Sequence, residues 1–193
     1  MRIISGTKRG MKLFPPKGSG TRPITDRVKE SLFSILYKYD VIEGRFVADL
    51  FCGTGSLGLE ALSRGAGHVT FVEKDPKAVE ILNRNIAKAA FVEQSKTIRA
   101  NAFKIGAPVA EEKYSLVFVD PPYALSRDTG EGSKLANLLE LLCEQVTAKA
   151  IIVVRTDAQT QLLDEYAKLR IIDTRRWGTM QISLLCMEKP NDQ

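Results

Sequence analysis

Asp120-Pro121-Pro122-Tyr123 packs a carboxylate, two prolines and a phenol ring into four residues. An ionised carboxylate accepts N–H donors, and proline stiffens a turn while donating no backbone N–H of its own. The stretch therefore offers acceptors: Asp120 and the carbonyls of Pro121 and Pro122. Tyr123 adds a flat face for stacking. The group suits one task, gripping a planar ring that carries an exocyclic amine. The bland alternative is a Pro-rich turn after a core strand, and position and company must decide.

A second constellation lies upstream, in Asp49-Leu50-Phe51-Cys52-Gly53-Thr54-Gly55-Ser56-Leu57-Gly58. Gly53, Gly55 and Gly58 match G-x-G-x-x-G, in which glycine permits a tight turn and close backbone approach to a ligand. Glu73 follows Gly53 by 20 residues, the spacing at which a carboxylate meets ribose hydroxyls. This pattern fits a dinucleotide as well as an adenosine-type cofactor. Asp49, just before the glycines, suits a cationic cofactor end better than a pyrophosphate; holding the loop is its structural alternative. Asn101 offers an amide to an adenine edge, or forms a turn. Other chemistries lack their residues. His68 is the single histidine, which cannot build a His-based metal site alone and leaves a His-containing triad to that one residue. Cys52, Cys143 and Cys186 lack metal-ligand spacing, and their odd number argues against a closed disulfide framework. No metal is expected.

The elements that must position these residues alternate along the chain. Arg45–Phe51, His68–Glu73, Ser95–Ala100, Tyr114–Val119 and Ala150–Arg155 read as strands from their short apolar runs. Helices are expected over Ser56–Arg64, from Asp75-Pro76 onward, over Ser133–Thr147 and over Gln159–Leu169. Thr25 or Asp26 is placed to cap a further helix running to about residue 39. Arg170–Arg176 and Met180–Glu188 read as a closing strand pair, one of which runs antiparallel. Alternation of this kind predicts an α/β fold, a doubly wound, mostly parallel sheet covered on both faces. Asp120 and the glycine loop then sit at the carboxyl ends of strands, where open α/β sheets bind ligands.

The chain has 193 residues, 44% of them hydrophobic and 26% charged, enough for one compact domain. We expect a basic hairpin or arm over residues 1–24 and one domain over 25–193. The net charge is +5, and it is concentrated near the N-terminus. Residues 1–29 carry Arg2, Lys8, Arg9, Lys12, Lys17, Arg22, Arg27 and Lys29 against the single acid Asp26. Such a run is a solvated arm or, if the rest of the chain handles nucleic acid, a phosphate-binding one. No apolar run approaches the roughly 20 residues that span a bilayer. The N-terminus lacks the apolar core of a signal peptide. The expected location is cytoplasmic, without membrane contact.

The glycine loop, the acid after the second strand and Asp-Pro-Pro-Tyr after the fourth occur in the order of class I S-adenosylmethionine-dependent methyltransferases. Thr21-Arg22-Pro23-Ile24-Thr25-Asp26-Arg27-Val28-Lys29-Glu30-Ser31-Leu32-Phe33 and the stretch from Asp49 to Ala66 resemble, more narrowly, the bacterial RsmD family. That resemblance implies a Rossmann-like, seven-stranded sheet with a short N-terminal hairpin, and methylation of a guanine N2 in 16S ribosomal RNA. It implies that Asp120, Pro121, Pro122 and Tyr123 form the catalytic site. It assigns S-adenosylmethionine to Asp49, Phe51, Cys52, Gly53, Thr54, Gly55, Gly58, Glu73, Lys74, Asn101 and Ala102. It assigns RNA to Arg2, Lys8, Arg9, Lys12, Arg22 and Arg27. The implied partner is 16S RNA within the small ribosomal subunit or a precursor, met by a monomer. Cys52, where a small Ala is expected, and Trp177, where Tyr is expected, depart from the family pattern.

Three other readings stand beside this one. An adenine-N6 methyltransferase shares Asp-Pro-Pro-Tyr, although only residues 124–149 are available here for a target-recognition region. A nicotinamide-dependent dehydrogenase explains the glycine loop and Glu73 but not Asp120–Tyr123. A non-catalytic RNA-binding assembly factor explains the arm and leaves the loop idle.

Overall fold

The computed structural model describes residues 1–16, 24–109 and 112–187. Its centre is an eight-stranded sheet in the order β3-β2-β1-β4-β5-β8-β7-β6. The strands are β1 (Phe46–Leu50), β2 (His68–Glu73), β3 (Ser95–Arg99), β4 (Tyr114–Val119), β5 (Val146–Asp157), β6 (Glu165–Tyr166), β7 (Leu169–Trp177) and β8 (Met180–Met187). Strands β1 to β5 run parallel. The closing pair follows without a crossover helix, and β8 is antiparallel to both β5 and β7. The order reverses between β1 and β4, and that reversal creates the crevice.

Both faces of the sheet are covered, which explains why its central strands are apolar throughout. Alternate residues feed two clusters. Val47, Val69, Phe71, Leu116, Phe118, Ile151 and Val153 pack with α1 (Asp26–Leu36), α2 (Ser56–Ser63) and α3 (Pro76–Ala89). Ala48, Leu50, Val72, Val117, Val119, Ile152 and Val154 pack with α4 (Ala102–Ile105) and α5 (Lys134–Gln145). The helix starts follow the sequence signals. Thr25 accepts from Val28 N–H and caps α1. Asp75 accepts from Lys77 N–H, with Pro76 at the first helical position of α3.

Two expectations need correction. The sheet has eight strands rather than seven, because β6 adds a two-residue edge. The helix expected over Gln159–Leu169 is absent. Tyr166 and Leu169 stand at helical spacing, yet they are cross-strand partners across a two-residue turn in which Ala167 has φ 52°. Both are buried against the α5 face, and the Tyr166 hydroxyl donates to Thr129 O and accepts from Leu163 N–H. Tertiary burial overrides the local pattern. A smaller shift is the length of β5, which starts at Val146, where α5 ends.

Residues 1–13 fold back as a hairpin, with Arg2 bridged to Lys12 and Ile3 N–H donating to Met11 O. Ile3 and Leu13 are buried in the same cluster as α1 and α2. Glu60 on α2 accepts Ile4 N–H and Ser5 N–H at 2.7 and 3.0 Å. Ser63 Oγ donates to Ser5 O and accepts Lys8 N–H. Among the described residues, no helix is long and apolar enough to cross a membrane.

Candidate active site

The glycine loop turns from β1 into α2 with an exacting backbone. Gly55 has φ +86°, and a Cβ there would lie 2.5 Å from Leu82 Cδ1. A Cβ on Gly58 would lie 2.3 Å from Phe71 Cε1. The second glycine thus allows the left-handed turn, and the third lets α2 approach β2. Asp49 holds this loop from below. It is 1% exposed, and its Oδ2 accepts Gly58 N–H at 2.8 Å. Burial pushes its carboxyl up to about 8, against the pull of the Gly58 hydrogen bond.

Glu73 closes the loop from β2. Its Oε2 accepts Gly53 N–H at 3.0 Å, while Oε1 accepts Lys74 N–H and Asp75 N–H at 2.8 and 2.9 Å. A carboxylate offers about four lone-pair positions, so these three bonds leave one for a ligand hydroxyl. Phe51 (φ 58°) turns its ring to within 4.7 Å of the Phe103 ring, at an interplanar angle of 59°. Asn101 Oδ1 caps α4 by accepting Phe103 N–H at 3.1 Å. These residues border a cavity of about 490 Å³ that Lys74, Ala102 and Pro122 also line. That volume falls in the usual range for cofactor sites. The paired rings and the carboxylate suit an adenosine: the rings give a flat base an apolar wall, and an acid meets a ribose.

Asp120 stands beside this cavity, directly after β4. Its N–H reaches Leu50 O at 3.4 Å, which ties the turn to the end of β1. Pro121 is buried and Pro122 is exposed. Tyr123 begins a short 3-10 turn to Leu125. Within the turn, Leu125 N–H takes Pro122 O and Ser126 N–H takes Tyr123 O. The bonds within this turn engage the carbonyls of Pro122 and Tyr123. Arg155, from β5, brings Nε to 2.5 Å from Asp120 Oδ1. Neither atom makes an aligned hydrogen bond, so this is a close charge pair. Burial pushes the Asp120 carboxyl above its ordinary range, and the guanidinium offsets part of that.

The structure thus brings Phe51, Glu73, Lys74, Asn101, Ala102 and Pro122 to one cavity, with Asp120 adjoining. Gly53 presents its N–H to Glu73, whereas Asp49, Cys52 and Thr54 are buried behind the loop. Sequence reasoning missed Phe103, although an aromatic two residues beyond Asn101 was a usable signal. It also missed Val72, Ala100, Lys104, Leu125 and Lys134 on the cavity wall. Arg155 was missed too, and its signal was an arginine ending the apolar run Ala150–Val154. No group of three or more acidic, His or Cys residues among the described residues is arranged to hold a metal ion.

The candidate RNA residues form part of a different face. Arg2 pairs with Asp26 at 2.7 Å, with both side chains about half exposed. Lys8 Nζ lies 5.6 Å from the Phe91 ring centroid. Arg9, Lys12 and Arg27 are exposed. Arg22 lies outside the described residues. Lys29 is not part of the surface charge: it is 1% exposed and pairs with Glu60 at 3.4 Å.

Residues 1–186 match the family model described as conserved hypothetical protein 95. The ribosomal RNA small subunit methyltransferase D of Haemophilus influenzae is 36% identical over 167 residues, which cover 84% of this chain and 82% of that protein. The solved structure of Escherichia coli yhhF superposes with a TM-score of 0.80 at 33% identity, covering 97% of this chain and 98% of that one. An RNA methyltransferase of Salinibacter ruber, solved in complex with S-adenosyl-L-homocysteine, shares the fold at a TM-score of 0.61 and 18% identity, over 89% and 98% of the two chains. A family match along nearly the whole chain, joined to this loop, cavity and Asp-Pro-Pro-Tyr turn, shows that the chain belongs to the RsmD family of methyltransferases.

Proposed function

We propose that this protein methylates the exocyclic N2 amine of a guanine in 16S ribosomal RNA. One observation carries the reading: Asp120 and Pro121 lead directly into Pro122, which lines the cavity suited to adenosine. S-adenosylmethionine, when bound, supplies an electrophilic methyl group. Glu73, Phe51, Phe103 and Asn101 are the residues that would hold its adenosine, and Asp49, buried beneath the glycine loop, would serve its cationic end only by holding that loop.

The remaining chemistry belongs to the chain. The lone pair of a guanine N2 amine is delocalised into the ring, which makes it a poor nucleophile. Asp120 and Pro121 O accept its two hydrogens and favour a tetrahedral nitrogen. Tyr123 stacks on the base, a contact worth ~1–3 kcal/mol in comparable sites. Positioning and electrostatics do the catalytic work. The base must leave its stack to enter, and that costs least in a single-stranded loop. Lys8, Arg9, Lys12, Arg27 and the arm residue Arg22 hold surrounding phosphates, contacts that position the RNA without specifying it. The preference for guanine over adenine is supported by the family and not by Asp-Pro-Pro-Tyr, since both bases carry an amine on a flat ring. The small subunit or its precursor is the proposed partner, and the enzyme is proposed to act as a monomer.

The test is transfer of labelled methyl to small-subunit particles that lack the modification, followed by mapping of the modified base. Label on a guanine N2 supports the proposal. Label on adenine N6 replaces it with the nearest alternative.

A further inference from the structure

Arg155 has no part in the function proposed above, yet its placement is costly. In the β4–β5 register, Phe118 lies opposite Val153 and Val119 opposite Val154. The next position in each strand sets Asp120 beside Arg155. Side chains two residues apart share a face, so both project to the side of Phe118 and Val153, under α1–α3. The Arg155 side chain is 12% exposed, at the end of the wholly buried run Ala150–Val154. Burying a guanidinium there costs several kcal/mol unless it is paired. Among the described residues, its ion-pair partner is Asp120. Asp49 on β1 is a further acid whose charge interacts with Arg155.

We propose that Arg155 is a positioning residue for methyl transfer: its guanidinium fixes one oxygen of Asp120 and keeps the carboxylate ionised, so that the other oxygen faces the substrate amine. The inference rests on the reading of Asp120 as the amine acceptor. Its logic is donor against donor. A protonated Asp120 carries an O–H, which would confront the N–H it has to accept. Burial favours that protonated form and Arg155 opposes it. The pairing through Nε also restricts rotation of the carboxylate before the base arrives. The guanidinium acts through Asp120 and does not itself touch the amine.

The experiment titrates Asp120 directly. The protein is prepared with 13Cγ-labelled aspartate, and Asp120→Asn identifies the resonance in the absence of RNA. The wild-type carboxyl is expected to be ionised at the pH of the methyl-transfer assay. In Arg155→Gln the midpoint rises by at least one pH unit, and in Arg155→Lys it returns toward the wild-type value. In methyl transfer to small-subunit particles, the acid limb of the kcat profile of Arg155→Gln moves up by the same amount. The dissociation constant for S-adenosylmethionine changes less than threefold. A wild-type carboxyl that stays protonated at the assay pH, or equal midpoints in wild type and in Arg155→Gln, overturns the proposal. If glutamine unfolds the chain, Arg155→Met, which matches the buried stem, supplies the comparison. Failure of the substrate reading looks different: the wild type transfers no methyl to ribosomal particles, while the titration still reports the pair.

Discussion

Asp49 is a buried acid and Asp120 a half-buried one, and the two have different compensation. Asp120 has Arg155 at 2.5 Å. Asp49 has one backbone N–H, from Gly58, and burial lifts its carboxyl to about 8. A group whose folded value is raised binds a proton that the unfolded chain has already lost. Between roughly pH 4, the ordinary carboxylate value, and pH 8, the folded state holds that extra proton. The stability it contributes is present below pH 4 and is lost as pH rises through 8. Asp49→Asn keeps an acceptor for Gly58 N–H and cannot ionise. We expect its urea midpoint to fall less steeply across that window, with a gain over the wild type at pH 8. Parallel curves for the two proteins would show that Asp49 ionises at an ordinary value. For catalysis, Asp120→Asn is expected to lower kcat on the order of 10²–10³-fold, the usual cost of losing one group aimed at developing charge. Calorimetric affinity for S-adenosylmethionine is expected to stay within a few-fold.

The elements depend on a buried knot that joins α1, α2 and the hairpin. Lys29 Nζ donates to Arg2 O at 2.6 Å and to Ser56 Oγ at 3.2 Å, and pairs with Glu60. Glu60 also binds Arg64 Nε at 2.8 Å and both hairpin amides. Ser56 opens α2 directly after Gly55, so the knot reaches the cofactor loop. Removing one partner of a buried pair costs roughly 3–5 kcal/mol, because the other charge stays uncompensated. Glu60→Ala is expected to lose about that much by urea unfolding and to speed amide exchange at Ile4 and Ser5. Unchanged exchange there would mean that apolar contacts alone dock the hairpin. Lys29 also shows where the sequence stops being informative. It sits in a basic run, and only the folded neighbourhood reveals it as interior. Thr25, Asp75-Pro76 and Gly53-x-Gly55-x-x-Gly58 were legible because caps and tight turns are local. Tyr166 and Leu169 were misread because a spacing of three fits both one helix face and a two-residue hairpin. Arg155 escaped because its partner lies 35 residues away in the chain.

At the scale of the molecule, the proposed chemistry and the proposed RNA grip fall on different elements. The carboxyl ends of β1, β2 and β4 carry the cavity and Asp120, while the hairpin rests on α2 with its cations outward. The net charge of +5 is therefore not spread evenly, and the part carried by Arg2, Lys8, Arg9 and Lys12 lies on a docked hairpin. Ile3 and Leu13 anchor the hairpin in the core, so changing Lys8, Arg9 and Lys12 leaves the anchoring contacts in place. RNA binding that releases counterions shows a linear fall of log affinity with log salt, with a slope of roughly 0.7 per phosphate contact on single strands and 0.9 on duplex. Replacing Lys8, Arg9 and Lys12 by glutamine is expected to reduce that slope by roughly two, if each cation meets a phosphate. Affinity for S-adenosylmethionine should not change, since none of the three borders the cavity. Filter binding of small-subunit RNA at several salt concentrations gives the slope, and calorimetry gives the cofactor affinity. A weaker but equally salt-sensitive complex would place the grip elsewhere on the surface. A loss of cofactor affinity would mean that the hairpin charges also sustain the loop, through the contacts of Glu60 and Ser63 with the hairpin backbone.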